Sequence, residues 1–207
     1  LILACFRHTF RTHFGDAPPD AVWIGGIGTP LLTQLRKLVG DDALALQMAE
    51  TYRQYQDAHH DELLQRFPEV PETLSRLRAD GLRIGVVTSK MPAPAKRGLD
   101  RAGLLGLVDV VVDAGSTPRH KPDPAPVLLA LERLQGRPED AVFIGDAPVD
   151  IAAGRAAGVR TIAALCGPFP RERLEQEHPD AFVQDVRGVP DVLQEWSSPL
   201  RDSGATG

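Results

Sequence analysis

The chain has 207 residues, 43% of them hydrophobic, which is enough for one packed domain plus a small appendage. Its net charge of -5, with basic residues scattered and matched by acids, argues against a nucleic-acid surface. The two cysteines, Cys5 and Cys166, lie far apart and outside any CxxC pattern, so neither a disulfide framework nor a zinc site is indicated and the reduced cytoplasm is the expected compartment.

The apolar start Leu1 to Phe6 is too short for a signal peptide, and no segment is long enough to span a membrane. Helical spacing predicts helices over Ile2 to Phe14, Pro30 to Val39 and Asp42 to Phe67, the last carrying Leu44, Met48, Tyr52, Tyr55, His59 and Leu63 on its period. No strand interrupts them. Near Phe67-Pro68 the texture changes to alternation. Helices are expected at Pro71 to Asp80, Ala95 to Ala102, Ala125 to Leu134 and Val149 to Ala157. Strands are expected at Leu82 to Val87, Val108 to Val112, Ala141 to Ile144 and Arg160 to Ala164. A short strand near Phe182 and a helix near Val189 to Trp196 follow, and the polar tail 198–207 is expected to be disordered. Alternation of this kind means βαβ units and a doubly wound parallel sheet, here at 67–197, preceded by an all-helical subdomain at 1–66.

Candidate chemistry lies at the predicted carboxyl ends of strands, where open α/β sheets bind ligands. After Val142-Phe143-Ile144 come Gly145, Asp146 and, four residues on, Asp150. Two hard oxygen donors there suit Mg²⁺, which takes one or two protein carboxylates and keeps positions for water and phosphate. The same pair would also serve as a helix cap, and the residues alone leave both readings open. After Val87, Thr88 and Ser89 offer hydroxyls and Lys90 continues the turn, a phosphate subsite or an ordinary strand-to-helix turn. In His120-Lys121-Pro122-Asp123, the proline stiffens the backbone at Lys121, which fits a lysine that neutralises phosphate and equally a solvated loop residue.

In their order, these residues resemble the motifs of the haloacid dehalogenase superfamily of phosphohydrolases. Thr88 matches the second motif, Lys121 the third, and Gly145, Asp146 and Asp150 the fourth; Val70 to Lys90 resembles the entry into the core of the phosphoglycolate phosphatase branch. The resemblance implies an α/β core, a helical cap at 1–66, and a Mg²⁺-dependent cytoplasmic phosphatase acting on a small phosphorylated metabolite or pyrophosphate, with no nucleic-acid or membrane partner. It assigns Thr88 and Lys121 to catalysis, Thr88, Ser89 and Lys121 to phosphate, and Asp146 and Asp150 to metal. Oligomeric state stays open.

Within the branch, Tyr52 to Leu64 is similar to the cap helix of bacterial inorganic pyrophosphatases. His59, His60 and Asp61 are consecutive on that helix and are expected on a solvated face, because neighbours in sequence cannot all face one ligand. The turn Trp23 to Pro30, with Gly26 and Gly28, is a candidate lining of the substrate pocket from the cap side, and equally an ordinary turn, since its spacing is no phosphate-binding fingerprint. Arg36 and Arg53 are the candidate cations for pyrophosphate.

One motif of the family has no match. The first, Asp-x-Asp-Gly-Thr, supplies the nucleophile and the acid/base aspartate from the first strand, and none of the 207 residues form it. The resemblance therefore implies a truncated chain, expected to be inactive for want of the nucleophile, whose central strand between 82–87 and 141–144 is missing. Its mechanism would run through an aspartyl-phosphate. A phosphoglycolate or sugar-phosphate phosphatase and a non-catalytic binding protein of the same fold are the alternative readings. A receiver-type signalling domain is disfavoured because Lys121 precedes the acidic motif.

Overall fold

The computed structural model describes residues 1–197; the expected tail at 198–207 lies outside the described residues. Helices α1 (Ile2–Phe14), α2 (Asp20–Ile24), α3 (Leu31–Val39) and α4 (Asp42–Leu63) form the cap. Their apolar stripes converge on a dry centre of Cys5, Phe6, Phe10, Trp23, Leu35, Met48 and Tyr52. Phe6 stacks on Trp23 with ring centroids 4.8 Å apart, and Trp23 stacks on Tyr52 at 5.8 Å. Burying each such side chain stabilises the cap by roughly 1.5–3 kcal/mol. The Asp41 side chain caps α4 by accepting from the Leu44 amide at 2.7 Å, and Gly15 and Gly40 end α1 and α3 in left-handed conformation. Helix α2 was not expected from the sequence, since five residues are too few to show a period. Helix α4 stops at Leu63, four residues short of the expected Phe67, where Leu64 turns extended.

The remainder alternates as expected: α5 (Val70–Ala79), β1 (Gly85–Val87), α6 (Pro92–Arg101), β2 (Val110–Val112), α7 (Ala125–Leu134), β3 (Val142–Gly145), α8 (Pro148–Ala156), β4 (Arg160–Ala164), α9 (Arg171–Glu175), β5 (Ala181–Val183) and α10 (Val189–Ser197). Every pairing is parallel. Strands β1 and β2 are shorter than the expected Leu82 to Val87 and Val108 to Val112. Around the lost residues, the Asp109 carboxylate takes the Ile84 amide at 2.7 Å in place of a ladder partner.

The parallel sheet is interrupted. Among the described residues it consists of a pair, β1-β2, and a triple, β3-β4-β5, with no ladder joining β1 to β3. The burial of the strands follows from this. Ile162 on β4, paired on both sides, is 0% exposed, whereas Ile144 on β3, at the open edge, is 39% exposed. A cavity of about 620 Å³ opens at the amino ends of the two facing strands, lined by Leu82, Ala141, Val142 and, from the flanking helices, Leu77 and Trp196.

Cap and core meet along α4 and α6. Asp61 pairs with Arg97 at 3.0 Å, Arg97 also donates to the Asp57 carbonyl, and Arg66, beyond α4, donates to the Ala102 carbonyl at 3.2 Å. His60 is not on a solvated face as expected: it is 1% exposed, with Gly98 of α6 beside its ring. Its Nδ1 lies 2.7 Å from Asp61 Oδ1, and its Nε2 has no hydrogen-bond partner among the described residues. The glycine on α6 makes the room that a helical period read on α4 alone does not reveal.

Candidate active site

Three loops converge above the carboxyl ends of β1 and β3, and Lys121 ties them together. Its Nζ donates to Asp150 Oδ1 at 2.6 Å and to the Val87 carbonyl at 3.3 Å, so one ammonium spans the interruption between the two sheets. Lys121 is 8% and Asp150 6% exposed. A buried ion pair of this kind is maintained only when further hydrogen bonds satisfy its atoms. Here Asp150 Oδ2 accepts from the Ala147 amide at 3.2 Å, which also caps the first turn of α8. The solvated-loop alternative for Lys121 is thereby removed. The cap alternative for Asp150 is realised together with its contact to the lysine.

Asp146 ends the loop after β3, half-buried, and no side chain among the described residues hydrogen-bonds to it. Burial first, and the neighbouring Asp150 carboxylate second, push its carboxyl above the ordinary value. Opposite stands Gly167, in the loop after β4, where an added Cβ would lie 2.4 Å from Asp146 Cβ and 2.5 Å from its Oδ2. Next to it, Cys166 has its thiol pushed up by burial and by the Asp146 charge. This loop was not singled out from the sequence, although its place after a predicted strand was the available signal.

After β1, the Thr88 amide donates to Val112 at 2.8 Å and Thr88 Oγ1 accepts from the Lys90 amide at 3.2 Å, which leaves the hydroxyl proton free to donate. Ser89 Oγ donates to the Gly28 carbonyl of the cap, so its hydroxyl proton is already engaged. Gly28 itself has φ +99°, and a Cβ there would fall 2.5 Å from Val149 Cγ2 and 3.1 Å from Ala147 Cβ. The cap turn thus rests directly on the Asp146–Asp150 loop, with no space for any side chain at that point.

The other cap candidates do not come to the site. Gly26 packs on the Gln34 amide inside the cap, and that amide is committed to the Trp23 carbonyl. Arg36 pairs with Asp42 at 3.1 Å on the surface, and Arg53 is exposed. Both face outward because the inward positions of α3 and α4 are taken by Leu35, Met48 and Tyr52.

The donor set fits a hard divalent cation in part. Asp146 is a desolvated carboxylate without a cationic side chain bonded to it, and Gly167 keeps the space beside it clear. Among the described residues no three His, Cys, Asp or Glu side chains gather as a complete metal cage. No described helix is long and apolar enough to cross a membrane.

Comparison with known proteins gives one consistent outcome. Residues 1–164 match the model of the haloacid dehalogenase-like hydrolases. PpaX of Caldanaerobacter subterraneus subsp. tengcongensis is 39% identical over 186 residues, covering 90% of this chain and 84% of that protein. Pyrophosphatase PpaX of Bacillus cereus is 31% identical over 197 residues, covering 95% of this chain and 90% of that protein. A hydrolase from Pseudomonas syringae superimposes with a TM-score of 0.84 at 20% identity over 95% of this chain and 91% of that one, a likeness of fold.

Proposed function

The chain belongs to the haloacid dehalogenase-like hydrolases, a phosphohydrolase family, and on that premise we propose that it serves Mg²⁺-dependent hydrolysis of inorganic pyrophosphate or a small phosphorylated metabolite through an aspartyl-phosphate. The observation that carries this reading is Lys121, whose buried ammonium reaches both the strand end that precedes Thr88 and the carboxylate that follows Asp146.

Each residue of the cradle has a task in such a reaction. Thr88 donates its hydroxyl proton to a non-transferring phosphate oxygen. Lys121 offsets the charge that collects on the phosphoryl group, held in place by Asp150 rather than left to search for it. Asp146 would hold Mg²⁺. Asp150, with Oδ1 on Lys121 and Oδ2 on the Ala147 amide, acts as an orienter beside it more readily than as a full ligand. Bound there, Mg²⁺ would supply charge neutralisation for the phosphoryl group. The Gly28 turn, packed on Ala147 and Val149, would cover the site from the cap side and so exclude water and bulky substrates.

The attacking aspartate is not among the residues of this cradle. On this reading the family's first strand belongs between β1 and β3, which no ladder joins among the described residues. A strand seated there would bring an Asp-x-Asp-Gly-Thr turn beside Asp146 and Lys121. On this reading the 207-residue chain does not turn over p-nitrophenyl phosphate, and the same chain preceded by a strand ending in that motif does. Asp146→Ala in the extended enzyme abolishes the activity. Turnover by the 207-residue chain, or near-normal Mg²⁺-dependent turnover in Asp146→Ala, would overturn the assignment.

A further inference from the structure

Two glycines press on the acidic pair, and the backbone requires neither. Gly145 and Gly167 both stay out of the left-handed conformation in which glycine is the default residue. What each makes room for is a carboxylate. A Cβ on Gly145 would press on Asp150 Cβ, with Cγ and Oδ2 at 2.8 Å, and a Cβ on Gly167 would press on Asp146 Cβ, with Oδ2 at 2.5 Å and Cγ at 2.8 Å. In both cases the three nearest atoms belong to the acid alone. Gly145 is part of the Gly-Asp motif after β3; Gly167 lies in the loop after β4 and has no part in the scheme above.

The loop that carries Gly167 is anchored on both sides of it. Before it, the Leu165 amide donates to the Val183 carbonyl at 2.9 Å. After it, Phe169 is buried in one cluster with Ala147, Ile151 and Leu174, so the loop is packed on the same body that carries Asp146. A wall fixed in this way restricts the staggered positions open to the Asp146 side chain. Asp150 is held by Lys121 and the Ala147 amide, whereas no side chain among the described residues hydrogen-bonds to Asp146. We infer that Gly167 is a positioning residue for Asp146: by having no side chain, it lets the backbone after β4 close on this carboxylate and fix its orientation for the cation. The inference rests on the assignment of Asp146 to Mg²⁺ in the preceding section and adds the group that orients the ligand.

Thermal melting in chelator and calorimetric titration with Mg²⁺, both on the 207-residue chain, test the contact and the positioning separately and need no turnover. Where the backbone is unstrained and the space open, Gly→Ala raises stability by restricting the unfolded chain. Gly106→Ala, whose Cβ would meet nothing within 4 Å, is the control for that behaviour. Gly167→Ala is expected to lower the melting temperature instead. The loss should persist in an Asp146→Asn background, which keeps the shape of the side chain, and disappear in Asp146→Gly, which removes the atoms met. Gly167→Ala should also weaken Mg²⁺ by about tenfold or more, as loss of a group that orients a metal ligand does, while Gly106→Ala leaves it unchanged. A melting temperature at or above the parent's in Gly167→Ala, or an equal loss in the Asp146→Gly background, overturns the contact. Unchanged Mg²⁺ affinity in Gly167→Ala overturns the positioning role. If Gly167→Ala does not fold, recovery of the fold on adding Asp146→Gly supports the inference and failure to recover overturns it. Asp146→Ala reports on the metal assignment by itself: if it binds Mg²⁺ as the parent does, that assignment fails and the inference falls with it.

Discussion

Asp146 and Asp109 are carboxylates in opposite situations. Asp146 is desolvated and without a hydrogen-bonded cation, so a divalent ion should stabilise the native chain in proportion to its occupancy. Mg²⁺ is expected to raise the melting temperature of the parent and not that of Asp146→Ala, and equal shifts in both would remove Asp146 from the metal site. Asp109 accepts from Arg78 at 2.7 Å and from the Ile84 amide; the guanidinium first, and the amide second, hold its carboxyl below its ordinary 3.8. The native state then binds fewer protons than the unfolded state at this site. The stability it contributes is present above 3.8 and lost as pH falls through the lowered folded value. Asp109→Asn should reduce stability at neutral pH and flatten its acid limb, as read by denaturant unfolding at a series of pH values. An unchanged acid limb would mean that the staple between β1 and β2 carries no weight. At this scale the sequence was informative wherever a residue type has few alternative uses. The family resemblance singled out Thr88, Lys121, Asp146 and Asp150, and the fold brings Lys121 onto Asp150 and the strand end before Thr88. The burial of His60 could not be read, because whether a histidine is buried depends on what faces it from another helix.

The elements of the core were legible because each carries its own period, while the joints between cap and core were not. The Gly28 turn is the clearest example. Its glycine suggested close backbone approach, but only the fold supplies the surface approached, Ala147 and Val149. Gly28→Ala places a side chain in a left-handed conformation, at about 1–2 kcal/mol, and adds a clash with Val149. It should lower the denaturant midpoint and make the connection at 64–69 more readily cut by protease. A midpoint equal to the parent's would show that the cap turn does not bear on the loop. Short elements were also lost to sequence inspection: α2, at Asp20–Ile24, is too brief to repeat a pattern, and the ends of β1 and β2 give way to side-chain hydrogen bonds from Asp109.

For the whole molecule, the interrupted sheet sets a gradient of protection. β4 is paired on both sides, whereas β1 and β3 each leave one backbone edge toward the interruption. Amide exchange should therefore be slowest in β4 and faster in β3 and β1. Uniform protection across the three would mean that the interruption is occupied, for instance by a strand from a second copy. The expected α/β alternation with a helical cap is what the structure has, because alternation of periods is a property of the chain as a whole. Beside the apolar cluster in which Ile84 meets Val142 and Ile162, the Lys121 ammonium forms a polar bridge between the two halves of the sheet, and it has a consequence for how the protein responds to ligand. Lys121 has only three protons to give, and two are already committed to Val87 and Asp150. A phosphate that takes the third proton leaves both of these bonds in place, so the same side chain serves cohesion and chemistry together, and the anion completes the hydrogen bonding of the strut it sits above.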